Sequence, residues 1–305
     1  MQPLVSILIN NFNYGRFVAD AIDSALKQSY PHCEILVVDD GSTDNSREVI
    51  SGYGTRIRAI FKSNGGQASA FNSGFANCVG EIICLLDSDD VFLQHKVEKV
   101  VNALRGHKQK WHFHRLHWTD AALNPLLMPD SDYDSGDYDF RSECRNGTLR
   151  FAPPSTSGLS FTRQILEQVM PMPESAGVTI SDNYLKYAVL ALAPGHFSTD
   201  QWALQRIHDA NAYTLKDNPV VKAEILLATA ANLRARFPIL RSFCNQMYAE
   251  GLRLRFRTGG SLSGLYREAR AYLDASTFSE RAALIGRVAR RVSRDRLSQL
   301  HSETR

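Results

Sequence analysis

The 305-residue chain has few cysteines and no cysteine pattern. Cys33, Cys78, Cys84, Cys144 and Cys244 are odd in number, far apart and without a C-x-x-C pair. Neither a disulfide framework nor a thiolate zinc site is expected, and the usage fits a reducing compartment. No apolar run approaches the roughly 18 residues that a membrane span needs. The opening Met1-Gln2-Pro3-Leu4-Val5 lacks a basic segment followed by an apolar one, so no signal peptide is expected. The expected location is the cytoplasm, with the inner face of the membrane as the alternative setting. No Gly-x-Gly-x-x-Gly follows the first apolar segment and no Gly-x-x-x-x-Gly-Lys-[Ser/Thr] occurs, which disfavours the usual dinucleotide fold and P-loop hydrolysis. Zinc-finger, helix-turn-helix and RNA-binding aromatic motifs are also missing, so no nucleic-acid partner is expected.

Charge is divided unevenly. Residues 222–305 hold 16 Arg and Lys against 7 Asp and Glu, which leaves residues 1–221 with six net negative charges within an overall +3. An acidic body with a basic tail suggests attraction of the tail to an anionic partner. Peripheral membrane contact, a subunit interface and a cap over the rest of the chain all stay open for its helices.

A unit of strand, polar turn and helix recurs through the first hundred residues. Leu4–Ile9 is a nearly continuous apolar run that stops at Asn10-Asn11-Phe12-Asn13-Tyr14-Gly15, before a helix from about Tyr14 to Ser29. Glu34–Val38 runs into Asp39-Asp40-Gly41-Ser42-Thr43-Asp44, and Ile57–Phe61 into Lys62-Ser63-Asn64-Gly65-Gly66-Gln67. The helix over 68–78 carries a close-packing face of Ala70, Phe71, Gly74 and Phe75. Continuous apolar strands alternating with helices predict a mostly parallel, Rossmann-like α/β sheet, and the three polar turns should rim one crevice at its C-terminal edge.

The fourth repeat is the most informative. Ile82–Leu86 is an apolar run that ends in Asp87-Ser88-Asp89-Asp90. Clustered carboxylates at this edge repel one another unless a cation is shared, and hard oxygen ligands suit Mg²⁺ or Mn²⁺. The alternative is a solvated turn with Asp as N-cap of a helix beginning near Phe92.

Together, Val5–Ile9 with Phe12-Asn13, Gln28-Ser29-Tyr30, Glu34–Asp44, Asn64-Gly65-Gly66, Ala70–Gly74 and Asp87-Ser88-Asp89-Asp90 resemble the inverting family-2 glycosyltransferases of the GT-A fold. The likeness thins towards residue 215 and then fades. It implies a nucleotide-diphosphate-sugar donor, with a UDP-sugar favoured, and a divalent metal. Asn10, Phe12 and Asp40 would meet the base, with Asp39 beside them; Asn64, Gly66 and Gln67 complete the donor rim. Within the Asp-X-Asp element, Asp87 and Ser88 would approach the ribose or sugar and Asp89 the metal. The chain departs from the common pattern at Asn10-Asn11.

The resemblance extends to Pro153–Phe161, where Ser157 and Gly158 would lie on the acceptor side, although a plain turn glycine explains Gly158 equally well. Asp182 matches the family's catalytic base, while Ser181 or Asp182 as a helix N-cap is the plain reading. Gln205-Arg206-Ile207-His208-Asp209-Ala210-Asn211 resembles the Tyr-Arg-x-His-x-x-Asn segment, which gives Arg206 to the diphosphate and His208 to the metal or phosphate. His112, His114 and His117 are read as surface and crevice-lining residues rather than a zinc site, and Leu123–Phe140 as a long irregular loop whose aspartates are solvated.

The expectation is therefore a glycosyltransferase. Residues 1–221 would form the GT-A domain, with 1–105 the nucleotide-sugar half and 106–221 the acceptor half, and 222–305 a basic helical extension. The acceptor would be a glycan or lipid-linked hydroxyl. The alternatives are a nucleotidyltransferase and a non-catalytic sugar-nucleotide-binding protein.

Overall fold

The computed structural model describes residues 2–106, 108–174, 182–209, 211, 218–261, 265 and 267–303. Two compact units are present: one of residues 1–141, 150–174 and 185–216, the other of residues 142–149, 175–184 and 217–305.

The first unit is built on a nine-stranded sheet. Its strands are β1 (Val5–Asn11), β2 (Cys33–Asp39), β3 (Arg58–Phe61), β4 (Ile82–Asp87), β5 (Val91–Phe92), β6 (Trp111–Thr119), β7 (Gly136–Tyr138), β8 (Leu159–Thr162) and β9 (Gly195–Arg206). The order is β3-β2-β1-β4-β8-β6-β9-β5, with β7 added to β9. β1, β2, β3 and β4 pair in parallel, as their continuous apolar runs predict. β8 is antiparallel to both β4 and β6, whereas β6 and β9 pair in parallel. The sheet is therefore mixed beyond β4.

Burial explains the placing of β1 and β4. Ile7, Ile9, Cys84 and Leu86 are wholly buried in one core cluster, against Val18, Ala21 and Ile22 of α1 (Val18–Leu26). Ile50 of α2 (Ser46–Ser51) joins the same cluster, whereas Leu8 points to the other face, against α3 (Gly66–Asn77). A Cβ on Gly74 of α3 would stand 2.2 Å from Leu8 Cδ1, so only glycine lets this helix close on the sheet. β3 is the partly solvated edge.

Val91–Phe92 is a short strand antiparallel to β9, and α4 (Lys96–Leu104) starts only at Lys96. The N-cap reading of the aspartates, which needed a helix near Phe92, is thereby corrected. α5 (Arg141–Asn146), α6 (Arg163–Val169) and α7 (Asn183–Leu192) complete the middle of the chain.

His112 and His114 are not surface residues. β6 lies between β8 and β9, so both rings are buried, and burial pushes both imidazoles down from their ordinary value. His112 stacks on His196 at 5.6 Å. The loop after β6 is also more ordered than expected. Tyr133, Tyr138, Phe140 and Phe151 pack ring against ring, and Trp111 stacks on Phe140 and Phe151.

The second unit is helical: α8 (Pro219–Arg236), α9 (Arg241–Arg257), α10 (Arg267–Asp274) and α11 (Phe278–Glu303). Asn218 caps α8, its side chain accepting from Val221 N–H, and Pro219 occupies the first helical position. Gly259 at φ +79 closes α9.

Candidate active site

The C-terminal edge of β1, β2 and β4 gathers the polar turns. Parallel register sets Asn10 beside Asp87 and Asn11 beside Asp39. Alternation then turns the two asparagines to opposite faces. Asn11, not Asn10, joins the turn after β2: its Nδ2 donates to Asp39 Oδ1 at 2.8 Å and Ser42 Oγ at 3.1 Å. The Asn10 amide oxygen is buried without a hydrogen-bond partner.

Asp39 and Asp40 are both buried and differently used. Asp39 accepts from Asn11 and from Ser42 N–H and lies 3.6 Å from Arg47 Nε. Asp40 accepts from Lys62 Nζ at 2.5 Å, Gly65 N–H at 3.0 Å and Gly66 N–H at 2.6 Å. It ties the third polar turn and the N-terminus of α3 to β2, a use of a carboxylate favoured by the helix dipole. Gly41 permits this closeness: its φ is +80, and a Cβ there would lie 2.5 Å from Asn64 N. Of the other rim residues, Asn64 is exposed, Gly66 and Gln67 half-buried, and Phe12 stands 44 % exposed in the turn after β1.

At the end of β4, one oxygen each of Asp87, Asp89 and Asp90 lies within 4.8 Å of the others. Asp90, which has no separate role in the sequence reading, is the most enclosed. It accepts from Ser157 Oγ at 2.6 Å and from Arg206 N–H at 3.0 Å. Burial, then the charges of Asp89 and Asp87, push its carboxyl well above the usual carboxylate range. Asp89 Oδ2 receives Asn211 Nδ2 at 3.0 Å and lies 3.2 Å from His208 Nε2. The ring of His208 is held 4.7 Å from Phe17 and edge-on to Tyr14 at 5.7 Å. Burial and the charges of Asp89, Asp87 and Asp90 raise the Tyr14 phenol strongly.

Further sequence-named residues are enclosed. Ser88 is buried, and its Oγ has no partner. Ser157 is buried too, accepting from Asp87 N–H while donating to Asp90. Gly158 is required by packing, because a Cβ would meet the His114 carbonyl oxygen at 2.5 Å. The Arg206 side chain is 2 % exposed; it pairs with Asp20 at 2.5 Å and lies 4.7 Å from the centre of the Phe17 ring. Its Nε and Nη1 are buried without a hydrogen-bond partner. Asp182 is buried at the turn before α7 and belongs to the second unit, and Ser181 lies outside the described residues.

The donor set suits a hard cation. Asp89 and Asp90 have only neutral hydrogen-bond donors and an imidazole around them, and no Lys or Arg side chain pairs with either among the described residues. Three carboxylates so close without a cationic side chain on two of them fit a divalent ion with oxygen ligands, held by Asp87, Asp89 and Asp90 with His208 alongside.

The family model described as Glycosyl transferase family 2 matches residues 6–111. An uncharacterized glycosyltransferase of Nostoc sp. is 34% identical over 211 residues, covering 68% of this chain and 66% of that protein. The chain spans 32% of the length of each of the next two curated relatives. Among solved structures, S. aureus TarS 1-349 in complex with UDP-GlcNAc matches with a TM-score of 0.61 at 17% identity, over 95% of this chain and 82% of that one. A mannosyltransferase of Pyrobaculum calidifontis in complex with GDP-Man and Mn2+ matches with a TM-score of 0.51 at 17% identity, over 97% and 88%. These likenesses establish the GT-A fold, with its α/β sheet and C-terminal helices. The chain belongs to glycosyltransferase family 2.

Proposed function

We propose that the chain transfers a sugar, with inversion, from a nucleotide-diphosphate-sugar to a hydroxyl of a glycan or lipid-linked acceptor. The observation that carries this reading is the trio Asp87, Asp89 and Asp90 at the end of β4, gathered within 4.8 Å. A UDP-sugar is the favoured donor; the solved relatives with UDP-GlcNAc and with GDP-Man and Mn2+ support a nucleotide-sugar and a divalent ion. When bound, Mn²⁺ or Mg²⁺ supplies positive charge that offsets a diphosphate.

The chain's own residues do the rest. Asp90, clamped by Ser157 and Arg206 N–H, holds the acidic turn in shape. Asn211 and His208 orient Asp89. Phe12 offers an exposed ring face to the base, with the Asp39 network behind it. Asp40 sets the position of Asn64, Gly66 and Gln67 by fixing the N-terminus of α3. Asp182 is the proposed general base, taking the proton of the acceptor hydroxyl as that oxygen attacks the anomeric carbon, so that one displacement inverts the centre. Its match to the family's motif supports this role.

The cytoplasm, with its sugar nucleotides, is the proposed location, and no helix among the described residues is long and apolar enough to cross a membrane. The positive surplus of residues 222–305 supports attraction of the helical segment to an anionic lipid surface. The test is a panel of nucleotide-sugars with and without Mn²⁺, read by product analysis. Metal-dependent release of nucleoside diphosphate with a glycosylated product is expected. Pyrophosphate release instead would make the protein a nucleotidyltransferase.

A further inference from the structure

Arg206, the last residue of β9, serves the acidic turn with its backbone and something else with its side chain. Its N–H donates to Asp90 at 3.0 Å. Its carbonyl accepts from Asn211 Nδ2 at 3.2 Å, the same amide that donates to Asp89 at 3.0 Å. The peptide is thus part of the frame of the turn, and any residue at this position would supply it. The guanidinium instead meets Asp20 of α1, through Nη2 at 2.5 Å, and lies 4.7 Å from the centre of the Phe17 ring.

This cation is buried and short of partners. With Nε and Nη1 open, its one carboxylate among the described residues is that of Asp20. A guanidinium out of water is costly unless counter-charge is close and its donors are met. The acidic trio offers both. The Arg206 backbone nitrogen is already 3.0 Å from Asp90 Oδ1, so the trio lies within reach of an arginine side chain from this Cα. Opposite charges so placed attract strongly where water is scarce, yet the guanidinium stands on Asp20. An acid in the first turn of α1 also suits the helix dipole, but that role needs no arginine. The Asp20 side chain is 55 % exposed, so its charge can be removed without opening a hole in the core.

We propose that Asp20 is a positioning residue that keeps the Arg206 guanidinium off the acidic turn, so that the carboxylates stay open to a divalent cation. The proposal rests on the divalent-ion reading of that turn and adds the residue that keeps it vacant of the chain's own charge. Phe17 completes the hold: its ring takes the guanidinium on one contact and the His208 ring, which faces Asp89, on another at 4.7 Å. Without a carboxylate at position 20 only the ring retains the cation, and a ring face attracts a guanidinium less than clustered carboxylates do. Arg206 would then become an internal competitor of the metal.

The test is calorimetric titration of the full chain with Mn²⁺ alone, beside a metal-free crystal of the Asp20→Asn variant. Asp20→Asn should weaken Mn²⁺ binding by at least about tenfold, the effect of one cation brought among carboxylates. Its crystal should show the guanidinium hydrogen-bonded to Asp89 or Asp90. Asp20→Glu, which keeps the charge, should bind Mn²⁺ as wild type does. Asp20→Asn combined with Arg206→Met should recover wild-type binding, because methionine keeps the backbone N–H and carbonyl and brings no charge. A merely structural pair gives another pattern: Arg206→Met alone would weaken Mn²⁺ as much as Asp20→Asn, and the double variant would not recover. That pattern, or a guanidinium still on Phe17 in the Asp20→Asn crystal, would overturn the proposal. A wild type that takes up no Mn²⁺ would count against the divalent-ion reading, and the place of the guanidinium in that crystal would still decide whether Asp20 holds it.

Discussion

The helical unit and the acidic turn after β4 treat their carboxylates in opposite ways. In the helical unit, Glu280 meets Arg234 and Arg241, and Glu250 meets Arg253 and Arg291. At the end of β4, Asp89 and Asp90 meet an amide, a hydroxyl, a backbone N–H and an imidazole. Arginine partners mark charges that serve packing of helices. A close group of carboxylates with neutral donors suits the cation proposed for it, which is not part of the chain.

The largest effect that could break this contrast is chemical. Asp89→Asn should lower sugar transfer by at least about 10²-fold, the scale of a lost charge-stabilising group, and weaken Mn²⁺ binding in calorimetry while leaving the thermal midpoint within a few degrees. If activity survives, the acidic turn is only a turn. Asp182→Asn is next: the proposed base should cost about 10²–10⁴-fold in turnover, with donor affinity measured by titration little changed. Unchanged turnover would remove Asp182 from the mechanism.

The helical unit provides the opposite outcome. Glu280→Gln should leave the affinity for UDP and Mn²⁺ intact and cost about 1–3 kcal/mol of stability, read by denaturant unfolding. Its partners, Arg241 first, hold the Glu280 carboxyl well below the usual glutamate range. A depressed folded value means that the contribution is fully present above the ordinary glutamate pKa and fades as pH falls through it towards the folded value. The Gln variant should therefore show a flatter loss of stability below about pH 4.5. Smallest is Asp40→Asn, which keeps a side chain able to accept from Gly65 and Gly66 N–H but loses the charge facing Lys62. About 1–2 kcal/mol is expected, with weaker nucleotide binding as the α3 turn loosens.

Much of the fold was legible because its signals are local. Continuous apolar runs ending in polar turns gave β1, β2 and β4, and small residues gave the face of α3 that Leu8 presses on. What escaped depends on contacts distant in sequence. Asp90 gains its role from Ser157 and Arg206, which lie 67 and 116 residues away. That Asn11 and not Asn10 reaches Asp39 is not legible locally, because a one-residue difference reverses the face of a strand and only the register decides it. His112 and His114 were misplaced because alternation cannot say that a strand is flanked by two others. The Asn211 contact with Asp89 could have been found, since the residue closes the Arg-x-His-x-x-Asn segment already singled out.

The most direct measurement is a crystal of the full chain soaked with UDP and Mn²⁺, collected at the manganese edge. The account predicts one anomalous peak bounded by carboxylate oxygens of the Asp87–Asp90 turn and by the diphosphate. A diphosphate bound elsewhere, or a nucleotide in the cleft with its phosphates met only by side-chain cations and no metal peak, would contradict it.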